Sequence, residues 1–309
     1  MKVRDLPSAF TLLWLLASPL FAAAEGRPRP TVVVIASVGI EAHRSAIEGI
    51  QAALASSPAE VHILDVAQAS SSARGGLPVA PASGIIIAVG SEAIRVVEAE
   101  RPKVPAVYTM ILRRRPEWDV QGRPAPVTIP LEVSLTSLLA RLKDLFPGKT
   151  RLGIILNAGS GETSGAQFQA RAQQLGFTVR IAECAGAAQL LAALASLRNQ
   201  ADFVWCLPDA NLYNGATVKP LILASIENRL PLIGFSESFA KAGAAIGIYP
   251  DFRDVGVQAG EAARQLLDGQ MVRVSEGPRR LKVAVNQSVL RLFGLRCATA
   301  TAGEVTVLP

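Results

Sequence analysis

Gly84-Ile-Ile-Ile-Ala-Val-Gly-Ser91 is an unbroken apolar run that stops on a Gly-Ser pair. A strand with one wet face alternates apolar and polar positions. This run does not alternate, so both its faces are expected to be buried, as in a parallel sheet covered by helices. Runs of the same kind recur at 31–36, 61–66, 106–110, 152–156, 178–182, 203–207, 232–235, 244–248 and 282–285. Amphipathic stretches lie between them. Residues 41–55 place Ala42, Ala46, Ile47, Ile50, Ala53 and Leu54 on one helical face, and 135–145 do the same with Leu135, Leu138, Leu139, Leu142 and Leu145. Further helices are predicted at 164–175, 187–197, 214–228 and 253–267, the last ended by Asp268-Gly269. The class is α/β.

The alternation occurs twice. Strands within 31–110 supply one four-stranded sheet, and the strand opening at Leu152 begins a second series running to Phe235. The Pro-rich stretch Pro124-Ala-Pro-Val-Thr-Ile-Pro130 between them is where a crossing between two domains is expected. Residues 67–83, AQASSSARGGLPVAPAS, are poor in long apolar side chains and read as a surface loop.

Half of the 309 residues are hydrophobic and 18% are charged, which supports a large buried core and excludes global disorder. The net charge of +6 is spread thinly, its longest basic run being Arg113-Arg114-Arg115. A nucleic-acid binder concentrates its cations on one face, so no nucleic-acid partner is expected. Lys2 and Arg4 precede an apolar run from Ala9 to Leu16, then Pro19 and Phe21-Ala-Ala-Ala24. That order reads as a cleavable secretory signal peptide over 1–24. The run is too short for a membrane span. No cysteine stands at the cleavage site, so the product is expected to be periplasmic and not lipidated. Cys184, Cys206 and Cys297 match no metal or redox spacing; unpaired thiols are the simpler reading, with one disulfide plus a free thiol as the alternative.

In open α/β sheets ligands sit beyond the carboxyl ends of the strands, where loops and helix N-termini offer free amides. Those ends read Ser37-Val38-Gly39, Gly90-Ser91-Glu92 and Tyr108-Thr109 in the first half. In the second they read Asn157-Ala158-Gly159-Ser160-Gly161, Pro208-Asp209-Ala210-Asn211 and Ser236-Glu237-Ser238. Taken singly, each is as readily a turn or a helix N-cap. Their recurrence at equivalent ends of two sheets points to a binding site for a small polar molecule. Gly159-Ser-Gly161-Glu-Thr-Ser-Gly165, with Glu183 after the next strand, offers a rival: a dinucleotide-binding turn, although its spacing is GxGxxxG and not GxGxxG. No nucleophile elbow, phosphate loop or HExxH motif is present, and two histidines, His43 and His62, leave little for acid–base or metal chemistry. No enzyme activity, metal or cofactor is therefore expected. His43 is read as a capping or rim residue and His62 as structural; Trp205 reads as core, while Trp118 and Tyr213 lie in loops able to meet a ligand.

The second half also carries a resemblance. Leu230-Pro-Leu-Ile-Gly-Phe-Ser-Glu-Ser-Phe-Ala-Lys-Ala-Gly-Ala-Ala-Ile-Gly-Ile-Tyr-Pro-Asp-Phe-Arg-Asp-Val-Gly256, Gly260-Glu-Ala-Ala-Arg-Gln-Leu-Leu-Asp-Gly269 and Val283-Ala-Val-Asn-Gln-Ser-Val-Leu-Arg-Leu-Phe-Gly-Leu295 resemble the substrate-binding proteins of ABC transporters, of the tryptophan/tyrosine type. With Leu145-Phe-Pro-Gly148 and the Asp209 loop, the likeness covers roughly 130–296, and more weakly 31–110.

The resemblance implies a two-lobed type I periplasmic-binding-protein fold, each lobe a mostly parallel sheet flanked by helices, with three hinge crossings near 126–131, 245–248 and 274–282. It divides the chain into a first lobe of 31–128 plus 247–275, a second of 129–246 plus 276–298, and a tail, 299–309. It implies that Gly90, Ser91, Asn157, Asp209, Ser236 and Glu237 line the cleft, Asp209 receiving a ligand ammonium or hydroxyl and Ser91 a carboxylate. It further implies a monomer that hands an amino-acid-like solute to a membrane permease served by a separate ATPase. A ligand sensor docking on a receptor kinase uses the same lobes. The chain departs from the family at 67–83, where a helix is usual, and at 113–120, where Arg113 to Arg115 near the cleft mouth favour an anionic ligand.

Overall fold

A computed structural model describes residues 29–72, 84–100, 103–119, 121–122, 124–158, 165–272, 277–298 and 305–309. The first half runs β1 (Thr31–Ala36), α1 (Glu41–Leu54), β2 (Glu60–Asp65), α2 (Val66–Ser72), β3 (Gly84–Val89), α3 (Ser91–Glu100), β4 (Ala106–Ile111) and β5 (Val127–Pro130). The second continues α4 (Leu135–Leu145), β6 (Arg151–Asn157), α5 (Gly165–Gln174), β7 (Thr178–Cys184), α6 (Leu190–Ser196), β8 (Phe203–Trp205), α7 (Val218–Glu227), β9 (Leu232–Gly234) and α8 (Glu237–Ala242). It closes with β10 (Ile246–Pro250), α9 (Phe252–Leu267), β11 (Leu281–Asn286), α10 (Gln287–Leu292) and β12 (Val305–Leu308).

Two sheets result. The first has the order β2-β1-β3-β4-β5, every pair parallel. The second has the order β12-β11-β10-β9-β8-β6-β7, parallel except where β10 meets β11. The apolar runs of the central strands are buried on both faces, as expected, whereas the edge strands β2 and β7 depart from that expectation: most of β2 is exposed or half-buried and β7 alternates buried with exposed positions, because an edge strand is covered less completely. In the first sheet Val32, Val34, Ile85 and Ile87 pack under α1 and α9, while the intervening Val33, Ile35, Ile86 and Ala88 pack under α2 and α3. The second sheet is likewise split between α4, α5 and α10 on one face and α6, α7 and α8 on the other.

Several elements differ from the sequence reading. Residues 67–72 are not loop but most of α2, because the Asp65 side chain receives the Ala67 N–H at 2.9 Å and Val66 and Ala69, one turn apart, bury against the sheet; the rest of the expected loop, 73–83, lies outside the described residues. The segments α3, α8 and α10 are short helices that the periodicity did not reveal. The Pro-rich stretch ends in a true strand, β5, hydrogen-bonded beside β4, so the chain leaves the first sheet only after Pro130. β10 pairs with β9 and β11, so residues 247–250 belong to the second sheet and the expected boundary at 246/247 falls inside a strand. The chain returns to the first sheet at α9, whose Val255, Ala259, Ala262 and Ala263 join its core. Within the expected tail, 305–308 form β12, paired with β11. The signal peptide reading over 1–24 lies outside the described residues, and among those described no helix is long and apolar enough to cross a membrane.

Candidate functional site

The carboxyl ends of the central strands carry most of the residues singled out from sequence, and most are already engaged. Gly90 follows β3 at φ +90°, a conformation costly for any side chain, and His43 from the first turn of α1 lies over it, 2.6 Å from where a Cβ would stand. His43 is thus a half-buried wall of this strand end. Burial lowers its pKa from the ordinary value, opposed in part by a hydrogen bond to the Ser37 backbone. Ser37 also closes the β1–α1 turn, its carbonyl accepting from Ile40 at 3.1 Å, and Gly39 stands open with nothing near its Cβ position. Ser91 opens α3 and lines a cleft of about 860 Å³ in the first lobe.

Tyr108 and Thr109 are buried in the core of the first lobe. The Tyr108 ring is buried edge-on against Trp118 at 5.2 Å and its hydroxyl donates to Glu98; the Thr109 hydroxyl donates to the Ile129 carbonyl across the β4–β5 pair. Successive residues of a strand face opposite sides, and here both sides are core. Trp118 lines the same cleft as Ser91, as its loop position suggested.

In the second lobe Asn157 Nδ2 donates to Asp209 Oδ2 at 3.0 Å, joining the ends of the neighbouring strands β6 and β8. The other Asp209 oxygen receives the Asn211 N–H at 2.7 Å, which fixes the turn. Ser236 is the N-cap of α8, receiving the Phe239 N–H at 3.1 Å. Glu237 pairs with Lys241 and receives the Tyr249 hydroxyl at 3.2 Å; the hydrogen-bonded Lys241 ammonium holds its carboxyl below the usual carboxylate range against a smaller desolvation. Gly159 and Ser160, and with them most of the Gly159–Gly165 turn, lie outside the described residues. Tyr213, read from its loop position as able to meet a ligand, is buried: its ring is packed with Phe235 and Phe239 and its hydroxyl lies beside Cys206. Burial pushes the Cys206 thiol up to about 12, and all three cysteines are unpaired. His62 is on the surface of β2, 3.4 Å from Glu60.

A further enclosed space was not read from sequence. Residue 110 is a β-bulge: the β4–β5 register shifts between Thr109 and Ile111, and Met110 takes a left-handed φ of 57°. Beyond it Leu131 N–H donates to Ile111 at 2.8 Å and Glu132 N–H to Leu112 at 3.2 Å, so 111–113 and 131–133 run side by side out of the first sheet. Leu112, Arg113 and 131–133, together with Trp205, Leu207 and Pro208 from the end of β8, Phe235 from the end of β9, and Ile248, Pro250 and Phe252 where β10 hands over to α9, enclose a cavity of about 190 Å³. Arg113 and Glu132, 2.8 Å apart, stand in its wall. Arg113 also faces the first-lobe cleft, and Glu132 and Trp205 a second-lobe cleft beside α5. Trp205 is only 3% exposed, yet what it is buried against includes this space. Among the described residues no group of His, Cys, Asp and Glu is placed to hold a metal.

The family described as ABC transporter substrate binding protein matches residues 132–296, more than half the chain. The chain belongs to that family. No curated protein sequence matches it. Among solved structures, this substrate-binding protein is similar to the ligand-free, open structure of CD0873, a substrate binding protein with adhesive properties from Clostridium difficile. The TM-score is 0.62 at 15% identity, over 90% of this chain and 99% of that one. It is also similar to the ABC domain in complex with L-Trp from Streptococcus pneumonia, with TM-score 0.53 and 14% identity over 90% of this chain and all of that one. These likenesses show the two-lobed periplasmic-binding-protein fold. The substrate-binding protein's family and neighbours are binding proteins rather than enzymes.

Proposed function

We propose that this protein is the periplasmic, monomeric receptor of an ABC importer, exported by its first 24 residues, which closes on a small amino-acid-like solute and presents the closed form to a permease. One observation carries the reading: the cavity is lined by Trp205, Leu207, Pro208 and Phe235 of the second lobe and by 112–113 and 131–133 where the chain leaves the first sheet, with Leu131 and Phe252 packed against the first lobe's core, so a molecule inside it touches both lobes. Such a ligand binds the closed arrangement better than the open one and shifts the population toward closure by that difference in affinity. The sequence holds no phosphate-binding loop, so ATP hydrolysis belongs to another chain.

Thermal unfolding of the secreted chain from Glu25 onward, screened against amino acids, organic acids, sugars and nucleotides, tests this. A ligand at about 100 times its Kd adds about 2.7 kcal/mol of stability. A small solute that raises Tm, and loses the effect in Trp205→Ala, supports the receptor. A shift from nucleotides alone contradicts it and favours the dinucleotide turn. Recovery of a receptor kinase instead of a permease when the liganded protein captures membrane partners moves the role from import to sensing.

A further inference from the structure

The wall of the interlobe cavity has an unusual chemistry for a site expected to hold a polar solute. Among the described residues that line it, Arg113 and Glu132 are the charged ones and the rest are apolar: leucines, Val133, prolines, Ile248, Trp205, Phe235 and Phe252. Among the described lining residues no side-chain hydroxyl or amide faces the space, so a sugar's hydroxyls would go unsatisfied against them, at a cost that strongly disfavours them. The carboxylates around the adjoining first-lobe cleft are already engaged, Glu92 with Arg95, Glu98 with Tyr108 and Glu117 with Arg115. Glu132 is engaged too, but its partner Arg113 is the cation facing the apolar interior, and its own side chain, 41% exposed, has water to turn to. A carboxylate brought in by the ligand can replace Glu132 on the guanidinium, two oxygens meeting the planar fork, while Glu132 turns to water. An ammonium offered to Glu132 gains no such match and brings a strongly hydrated charge to an apolar mouth. The bulge at Met110 sets this up by shifting the β4–β5 register just before 112–113 leave the sheet, and left-handed backbone at a non-glycine residue persists only where the surroundings enforce it.

We propose that the cargo is an apolar carboxylate, an aromatic or branched acid whose body fills the cavity of about 190 Å³ and whose carboxylate displaces Glu132 from Arg113, with no ammonium required. This rests on the receptor reading above and narrows it.

Isothermal titration of the secreted chain with indole-3-acetate, phenylacetate, L-tryptophan, tryptamine and ribose tests it. The expected result is binding of one or both acids, none of tryptamine or ribose, a loss of about 10- to 100-fold in Arg113→Gln, and a gain in Glu132→Gln, which removes the competing carboxylate. Because Glu132→Gln keeps its shape and its result is a gain, it stands even if Arg113→Gln folds poorly. Binding of tryptamine or ribose, binding of L-tryptophan but neither acid, an acid affinity that ignores both variants, or no binding of any probe overturns the proposal. A solute of another class that raises Tm and closes the lobes leaves the receptor reading standing while this one fails; no stabilising solute from the full screen removes both.

Discussion

His43 shows how one side chain can shape a strand end by packing alone. It packs on Gly90 where a positive φ leaves no room for a Cβ, and it does so as a neutral ring because burial disfavours its charge. Its folded pKa therefore lies below its unfolded one, so below the unfolded value of about 6.5 the unfolded chain binds more protons and stability falls with pH. The His43 contribution is fully present above about pH 6.5 and is lost as pH drops toward and through the lowered folded value. Urea unfolding between pH 7.5 and 5 is expected to show this decline, and His43→Gln to make it shallower. The sequence placed His43 in the first turn of α1, but nothing in it says that a glycine 47 positions away is the surface it covers. Asn157 and Asp209 were legible as strand-end polar residues, yet their bond at 3.0 Å depends on β6 and β8 being neighbours, which is a property of the sheet order.

Helices α1 and α9 illustrate the next level. Both were readable from their apolar stripes, α1 over 41–54 and α9 over 252–267 against expectations of 41–55 and 253–267. That they pack on each other was not readable, since they lie about 200 residues apart and α9 reaches the first sheet only after the chain has built most of the second. Their contact is made through glycines: a Cβ at Gly256 would sit on the Ala46 carbonyl oxygen, and one at Gly49 on the Arg253 carbonyl oxygen. With backbone as the obstacle, neither neighbour can rotate away. Gly256→Val is expected to cost about 3 kcal/mol or more, read as an early transition in thermal or urea unfolding, whereas Gly39→Ala, with open space and no positive φ, should change little. Short elements escaped the sequence for a related reason. Seven residues of α2 or six of α8 give too few turns for a periodic pattern, and they exist because caps at Asp65 and Ser236 and a waiting apolar surface hold them.

At the scale of the molecule, the cavity between strand ends predicts motion. To shift a lobe equilibrium from 1:99 to 99:1, a ligand must favour the closed state by about 10⁴-fold, some 5.5 kcal/mol, which requires contacts from both lobes. Small-angle scattering is therefore expected to show a smaller radius of gyration with a saturating ligand of the interlobe cavity, and no change with one confined to the first-lobe cleft. What the sequence determined by itself was the α/β class, the doubling into two sheets, nearly every strand and long helix, and the family, because continuous apolar runs, helical stripes and local motifs are short-range signals that survive without knowing the fold. What only the tertiary structure decided was the membership of β5, β10, α9 and β12, the role of Trp205, and the pairing of Arg113 with Glu132 around an apolar space. Those depend on which strands lie side by side and where a bulge turns the chain, and such relations link residues far apart in sequence whose individual preferences carry no record of one another.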